Sequence, residues 1–438
     1  MSFRRPFPVW WGLAIFVATL LFARVSFGGT PSEYVIYAFP ATDSAGAESN
    51  GPLVADSAGN LYGTTTVGGA FYKGTVFELS RPVPPNTKWT ETVLYSFTGA
   101  RDGSQPLSGV IFDRAGNLYG TTSEGGASGL GVVFELKPPA DPGGQWTEFT
   151  LYSFQGQTGD GASPVSGLAF DAFGNLYGTT NEGGITYALA CPRGCGTVFQ
   201  LVPPAMSGAA WTEHVIHYFN SGQGAYPRDA PIFDGMGYLY GTASQGGMNA
   251  AGVIFRLAPP ASSGGAWTYK VLHAFAGAKT TDSAQPYGSL TLHDGILYGT
   301  ATAGGEHNWG TVFQVVPPAV AGGAWTENIL FSFDGSNGGS PTANVIFDKA
   351  GNLYSTTYEG GGVGTCYLEG CGTVFKLTPP TTQGAGWTET VLHSFPNAGG
   401  EDGSRPTGGL IFGKNDVLLG VTSGGGAGSQ GTVFGIVP

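Results

Sequence analysis

Gly174-Asn175-Leu176-Tyr177-Gly178-Thr179-Thr180 is one copy of a phrase that runs through the whole chain. Its core, L-Y-G-T-T or a close variant, begins at Leu61, Leu118, Leu176, Leu239, Leu297, Leu353 and Leu418, in steps of 57, 58, 63, 58, 56 and 65 residues. A period of that length with several short strands per unit marks a propeller or similar array. Outward from Leu176–Thr180, an apolar segment from Val165 to Asp171 precedes it across the turn Ala172-Phe173-Gly174-Asn175. A variable loop leads to a third strand, Gly196 to Leu201, and a Pro203-Pro204 turn to a fourth, Trp211 to Phe219. Each segment is rich in β-branched and aromatic residues and bounded by Gly, Pro or Asn. The unit reads as a four-stranded meander.

The turns have local causes. Asp113-Arg114-Ala115-Gly116-Asn117 puts an Asp where its side chain reaches backbone N–H groups, and Gly and Asn where φ can be positive. In the fifth unit the same connection shrinks to Asp294-Gly295, which suits a two-residue hairpin. The six tryptophans Trp89, Trp146, Trp211, Trp267, Trp325 and Trp387 begin fourth strands and are expected to pack between units. The second-strand glycines, such as Gly120 and Gly178, are expected to admit a neighbouring side chain.

The ends of the chain decide the topology. The last unit offers three strands, near Thr407–Phe412, Val417–Thr422 and Gly431–Ile436, and then stops. The missing fourth type stands alone at the start, where Glu33–Phe39 aligns with Glu91–Phe97. The N-terminal strand can complete the last blade, removing two open sheet edges. The expected fold is an all-β, seven-bladed β-propeller over residues 29–438, closed by that strand.

Composition agrees. The 438 residues include 76 Gly and 29 Pro with only 11% charged residues, as many tight turns require. The 41% hydrophobic content and in-register aromatics exclude a disordered tract. Residues 1–28 read as an export signal: Arg4 and Arg5, an apolar run from Val9 to Phe22, and Ser26 and Gly28 before a cut. Arg4-Arg5-Pro6-Phe7 matches a twin-arginine signal in part, and retention as a signal anchor is the alternative. Cleavage would lower the net charge from −12 to −15, because residues 1–28 hold three arginines and no acid. Such a surface repels phosphate backbones and anionic lipids, so neither nucleic acid nor a membrane is an expected partner of the mature chain.

These motifs resemble the choice-of-anchor GloVer tandem-repeat family of bacterial exported proteins. The resemblance rests on G-N-L-Y-G-T-T at Gly59, Gly116 and Gly174, and on G-T-V-F at Gly74, Gly196, Gly310, Gly372 and Gly431. It rests also on W-T-E at Trp89, Trp146, Trp211, Trp325 and Trp387, and covers residues 31–438. The D-x-x-G-N-L-Y turn is similar to those of NHL-like and two-component-sensor propellers. The family implies a surface or secreted protein and brings no catalytic residues. The chain shows no C-terminal anchor after Val437-Pro438 and no Cys before residue 191, so secreted or periplasmic residence is expected.

The chemistry of the loops is less decided. Cys191 and Cys195, and Cys366 and Cys371, sit in the loops before the third strands of units three and six. Local pairs in an exported chain read as disulfides, each worth about 2 kcal/mol for so short a loop. His217, His273 and His393 take the place of Tyr95 in the repeat, a packing position, and no histidine metal cluster is expected. Asp102, Asp160, Asp282 and Asp402 lie between blades, and Glu124, Glu182 and Glu359 follow second strands. In a meander those two loop sets emerge on one face. The acids there are either a solvated rim capping turns, or a site for Ca²⁺ or a polyol, or a carboxylate pair for glycosidic chemistry. No motif requires a cofactor. The expectation is a monomeric binding module for an extracellular glycan or protein, with a carbohydrate-active hydrolase or lyase and a structural envelope component as alternatives.

Overall fold

In five of the seven units the first hairpin is organised around one carboxylate, Asp56, Asp113, Asp171, Asp234 or Asp348. Asp171 Oδ1 accepts the backbone N–H groups of Phe173 and Asn175 at 2.8 and 2.9 Å. Its Oδ2 accepts the Asn175 amide at 2.7 Å and the Tyr177 hydroxyl at 3.1 Å. Asp113 and Asp348 make the same four bonds in units two and six. In unit five, Asp294 and Gly295 adopt φ of 50° and 77° and His293 pairs with Ile296, the expected two-residue hairpin.

The computed structural model describes residues 31–438 except 43–44, 142, 157–158, 187–189, 207, 263, 278–280, 321, 363–365, 367–369, 383 and 397–399. The export signal expected over residues 1–28 lies outside the described residues.

The remaining letters of the phrase act in turn. Leu176–Thr180 pairs antiparallel with Thr197–Val202, which pairs with Thr212–Tyr218. Leu176 is fully buried. Gly178 leaves room for the third-strand Phe199, whose Cζ would stand 2.5 Å from any added Cβ. Thr179 donates to the backbone carbonyl of Asp229 in the next unit at 3.1 Å, as Thr64 does to Ser108 and Thr121 to Ser166 at 2.7 Å. Thr180 shares a hydrogen bond with Thr197 at 2.9 Å, linking the second and third strands. One Thr therefore ties blade to blade, and the other ties strand to strand.

The first strand is shorter than the apolar run suggests. Only Ala169–Phe170 joins the ladder. The residues before it turn towards the axis, where the carbonyl of Ser166 accepts Thr121 of the preceding unit.

Seven such sheets form the ring. Ser32–Ala38 pairs with Thr432–Val437, Glu33 facing Ile436 and Ala38 facing Thr432, so the first strand completes the last blade. Each pairing of third and fourth strands carries a register shift, at Val133/Phe134 for example, and the closing pair repeats it between Val35 and Tyr37. Thr407 donates to the carbonyl of Ser49 at 3.1 Å, joining the seventh unit to the first. Fully buried phenylalanines meet edge to face between neighbouring blades, Phe97 of unit one and Phe134 of unit two at 5.1 Å. The tryptophans pack between units: Trp267 lies 5.8 Å from Tyr177 of the preceding one.

Candidate functional site: seams, loops and the central channel

Short ladders join the connections between blades to the loops after the second strands. Gly161 pairs with Gly183, Ser104 with Glu124, and Gly339 with Glu359. Equivalent pairs occur at Gly46–Gly68, Ala225–Gln245, Ser283–Gly304 and Gly403–Gly425. In every unit the two loop sets lie together on one face. Both expected disulfides are present there, Cys191–Cys195 and Cys366–Cys371.

The acids expected on that face are distributed among the blades. Glu124 accepts Gln105 at 2.8 Å, Glu182 faces Arg193 at 3.5 Å, and Glu359 accepts Ser340 at 3.3 Å. Asp102 and Asp160 are buried and not part of a solvated rim. Asp102 accepts the Thr98 N–H at 2.7 Å and the Tyr95 hydroxyl at 3.0 Å. Asp160 accepts Gln155 N–H at 2.7 Å and Gly161 N–H at 2.6 Å. Asp282 and Asp402 occupy the same kind of turn, accepting Ala276 N–H at 2.5 Å and Gly403 N–H at 2.7 Å respectively.

These Asp residues explain a letter of the repeat that the sequence left unread. The Glu of W-T-E is half-buried in the seam between blades, as Glu148 and Glu213 are next to Asp102 and Asp160 of the preceding connections. Burial and then Asp160 push Glu213 up to about 8. Burial, reinforced by Asp102 and opposed by a Thr150 hydrogen bond, holds Glu148 at about 7. Two seams add a histidine: His273 with Asp282 and Glu327, and His393 with Asp402 and Glu33. In each trio the ligating atoms lie within 4.8 Å of one another, so two histidines do sit in clusters, contrary to expectation. His217 has no such company; it stacks on Tyr269 at 3.7 Å, where other units carry the Glu.

A second feature lies on the axis. The Pro106-Leu107-Ser108-Gly109 segment of unit two and its counterparts line a cavity of about 570 Å³ to which all seven units contribute. The residue after the proline position is Asn50, Leu107, Val165, Arg228, Tyr287, Thr342 and Thr407 in units one to seven. Arg228 donates to the Tyr287 hydroxyl at 2.5 Å and lies 4.7 Å from the centre of its ring. Asp229 accepts Thr242 at 3.1 Å. Burial pushes its carboxyl up to about 8 against the pull of Thr242 and Arg228. Asp229 is the one carboxylate among the described residues lining the cavity. Among the described residues the channel wall therefore combines one cation, one acid whose carboxyl burial pushes up, amides, hydroxyls and apolar surface.

The sequence pattern of the Gloeobacter/Verrucomicrobia repeat matches residues 24–188 and 185–434. The chain belongs to this family. Among curated proteins none matches it. A candidate 6-phosphogluconolactonase from Bacteroides uniformis is similar in structure, with 13% identity, 77% of this chain and 83% of that chain covered, and a TM-score of 0.47. A protein of unknown function from Dyadobacter fermentans shows 12% identity over 93% and 98% of the two chains, TM-score 0.44. A luciferin-regenerating enzyme shows 14% identity over 93% and 95%, TM-score 0.41. None of these likenesses bears on activity.

In this Gloeobacter/Verrucomicrobia repeat protein the channel residues are not visible in the repeat pattern, because they are the positions that do not repeat. Pro106, Pro164, Pro227, Pro286, Pro341 and Pro406 recur in register, each followed by three residues and then an apolar one. The three residues between differ from unit to unit. Variation bracketed by fixed positions was the available signal.

Proposed function

We propose that the chain is an exported binding module that takes a small polyhydroxylated ligand, such as a glycan end, in the central channel. The observation that carries this reading is the contribution of each unit's variable segment to one cavity of about 570 Å³. Sites for small molecules fall in that size range and combine apolar walls with a few fixed polar groups. Tyr287 and Tyr358 offer faces for sugar rings, and Asn50, Asn344 and Arg228 offer donors to hydroxyls. Binding is favoured over hydrolysis because glycosidic chemistry of the usual kind needs two carboxylates, and Asp229 is the sole one in the described lining. The export signal, the acidic surface and the two disulfides suit an oxidising compartment outside the cytoplasm.

The test is a glycan array followed by calorimetry on the best binder, comparing the native chain with Arg228→Met and Tyr287→Ala. Affinity should fall at least tenfold in each variant while the melting temperature stays within a few degrees. Full affinity in both variants would place binding elsewhere, and no binding on the array would end the carbohydrate reading.

A further inference from the structure

The two histidine-containing seams go beyond what packing requires. In unit four, His273 stands on the fourth strand Thr268–Ala274, Asp282 in the connection that follows, and Glu327 on the fourth strand Thr326–Ser332 of unit five. His393, Asp402 and Glu33 hold the same places between units six and seven, with Glu33 supplied by the N-terminal strand. Where the repeat carries Tyr instead, a hydroxyl donates to the Asp and the contact is complete, as between Tyr95 and Asp102 at 3.0 Å. His393 Nε2 makes the equivalent contact, 2.9 Å from Asp402 Oδ2, whereas the His273 seam is arranged differently. His273 Nε2 lies 3.2 Å from Glu327 Oε2, yet it makes no hydrogen bond of acceptable geometry. Glu327 Oε1 is buried without a partner among the described residues, on a side chain only 5% exposed. Glu33 Oε1 is buried and without a partner in the same way. In the His273 trio the imidazole nitrogen and the Glu327 oxygen, and in the His393 trio the Glu33 oxygen, thus face a point that no described donor serves, which is costly in a buried place.

We propose that each trio is a structural site for a divalent transition-metal ion of the zinc type, clamping neighbouring blades together. One imidazole nitrogen and two carboxylate oxygens give three ligands, with water as the fourth in a tetrahedral shell. The mixed set suits zinc better than Ca²⁺, which takes six to eight oxygens. Two ionised carboxylates balance the ion's double positive charge, so the seam stays neutral when loaded. The clamp at Glu33 would also lock the strand that closes the ring.

The repeat supplies the control variants. His273→Tyr and His393→Tyr install the residue that units one and two carry at this place, so both should fold. With zinc sulfate titrated into chelator-stripped, untagged protein, the native chain should take up two equivalents, each single variant one, and the double variant none. Added zinc should raise the native melting temperature by several degrees and leave that of the double variant unchanged. No uptake by the native chain, or two equivalents retained by the double variant, would overturn the proposal and leave the trios as carboxylates sharing protons. A loss produced by only one of the two substitutions would keep that seam's site and overturn the other.

Discussion

At the scale of single residues, the repeat makes two sharp demands. A Cβ at Gly120 would meet Phe134 Cζ at 2.6 Å, so Gly120→Ala must displace a fully buried ring. Unit six shows how far the backbone can yield: Ser355 holds the same place beside Phe375 and donates to the Asn344 carbonyl at 2.8 Å. Alanine brings the bulk without that bond, and the expected loss is about 1–3 kcal/mol in denaturant unfolding. The second demand concerns protons. Glu213 faces Asp160, Tyr152 and Tyr218 across its seam, and its carboxyl is raised from 4.5 to about 8 by burial first and Asp160 second. The folded chain therefore holds a proton there that the unfolded chain releases above its ordinary value. Its contribution is complete below pH 4.5 and is lost as pH rises through about 8. Glu213→Gln should melt higher than the native chain at pH 9, by about 1–2 kcal/mol after allowing for partial solvent access. The gap should close by pH 4.5. A difference independent of pH would mean that packing, not ionisation, sets it.

At the scale of elements, the hairpin turns and loop staples differ in what they contribute. Asp113 satisfies two backbone N–H groups, the Asn117 amide and the Tyr119 hydroxyl. Its replacement by Ala strands donors at the blade's edge and should cost about 1–3 kcal/mol, read as a lower denaturant midpoint. The double change Cys191→Ala with Cys195→Ala frees a loop of five residues and should cost about 2 kcal/mol or less. The elements were legible in sequence to different degrees. Second, third and fourth strands follow from residue type and alternation, because their neighbours lie within the same unit. The first strand is shorter than its apolar run from Val165 to Asp171, since Ser166 and its counterparts spend their carbonyls on the adjacent blade. A pattern read along one chain segment does not show such partners. Likewise nothing along its own segment marks the Glu of W-T-E as a seam residue, and only the approach of the preceding blade explains its partial burial.

At the scale of the whole molecule, the ring was legible because the chain's two ends carry complementary parts of one blade. The channel was not, because its seven contributors lie about one period apart and are of six different residue types. The same closure decides the last prediction. Residues 31–39 fill the outer place of the seventh blade: Phe39 packs on Phe77 at 5.2 Å, and Tyr37 donates to Glu91 of the first blade at 2.8 Å. A chain begun at residue 40 would leave Thr432–Val437 as an open edge and remove a fully buried ring from the core. Losses of this kind exceed what a single substitution does, about 4 kcal/mol or more, and the bare edge offers a template for pairing with other copies. The shortened chain should elute from size-exclusion chromatography as larger species than the chain begun at residue 31, and melt many degrees lower. If the two chains instead eluted together and melted alike, the closing strand would be an ornament on a ring held by its seams alone. The six other blades, each complete within its own repeat, argue against that: each of them keeps a fourth strand in the place that Ser32–Ala38 fills in the seventh.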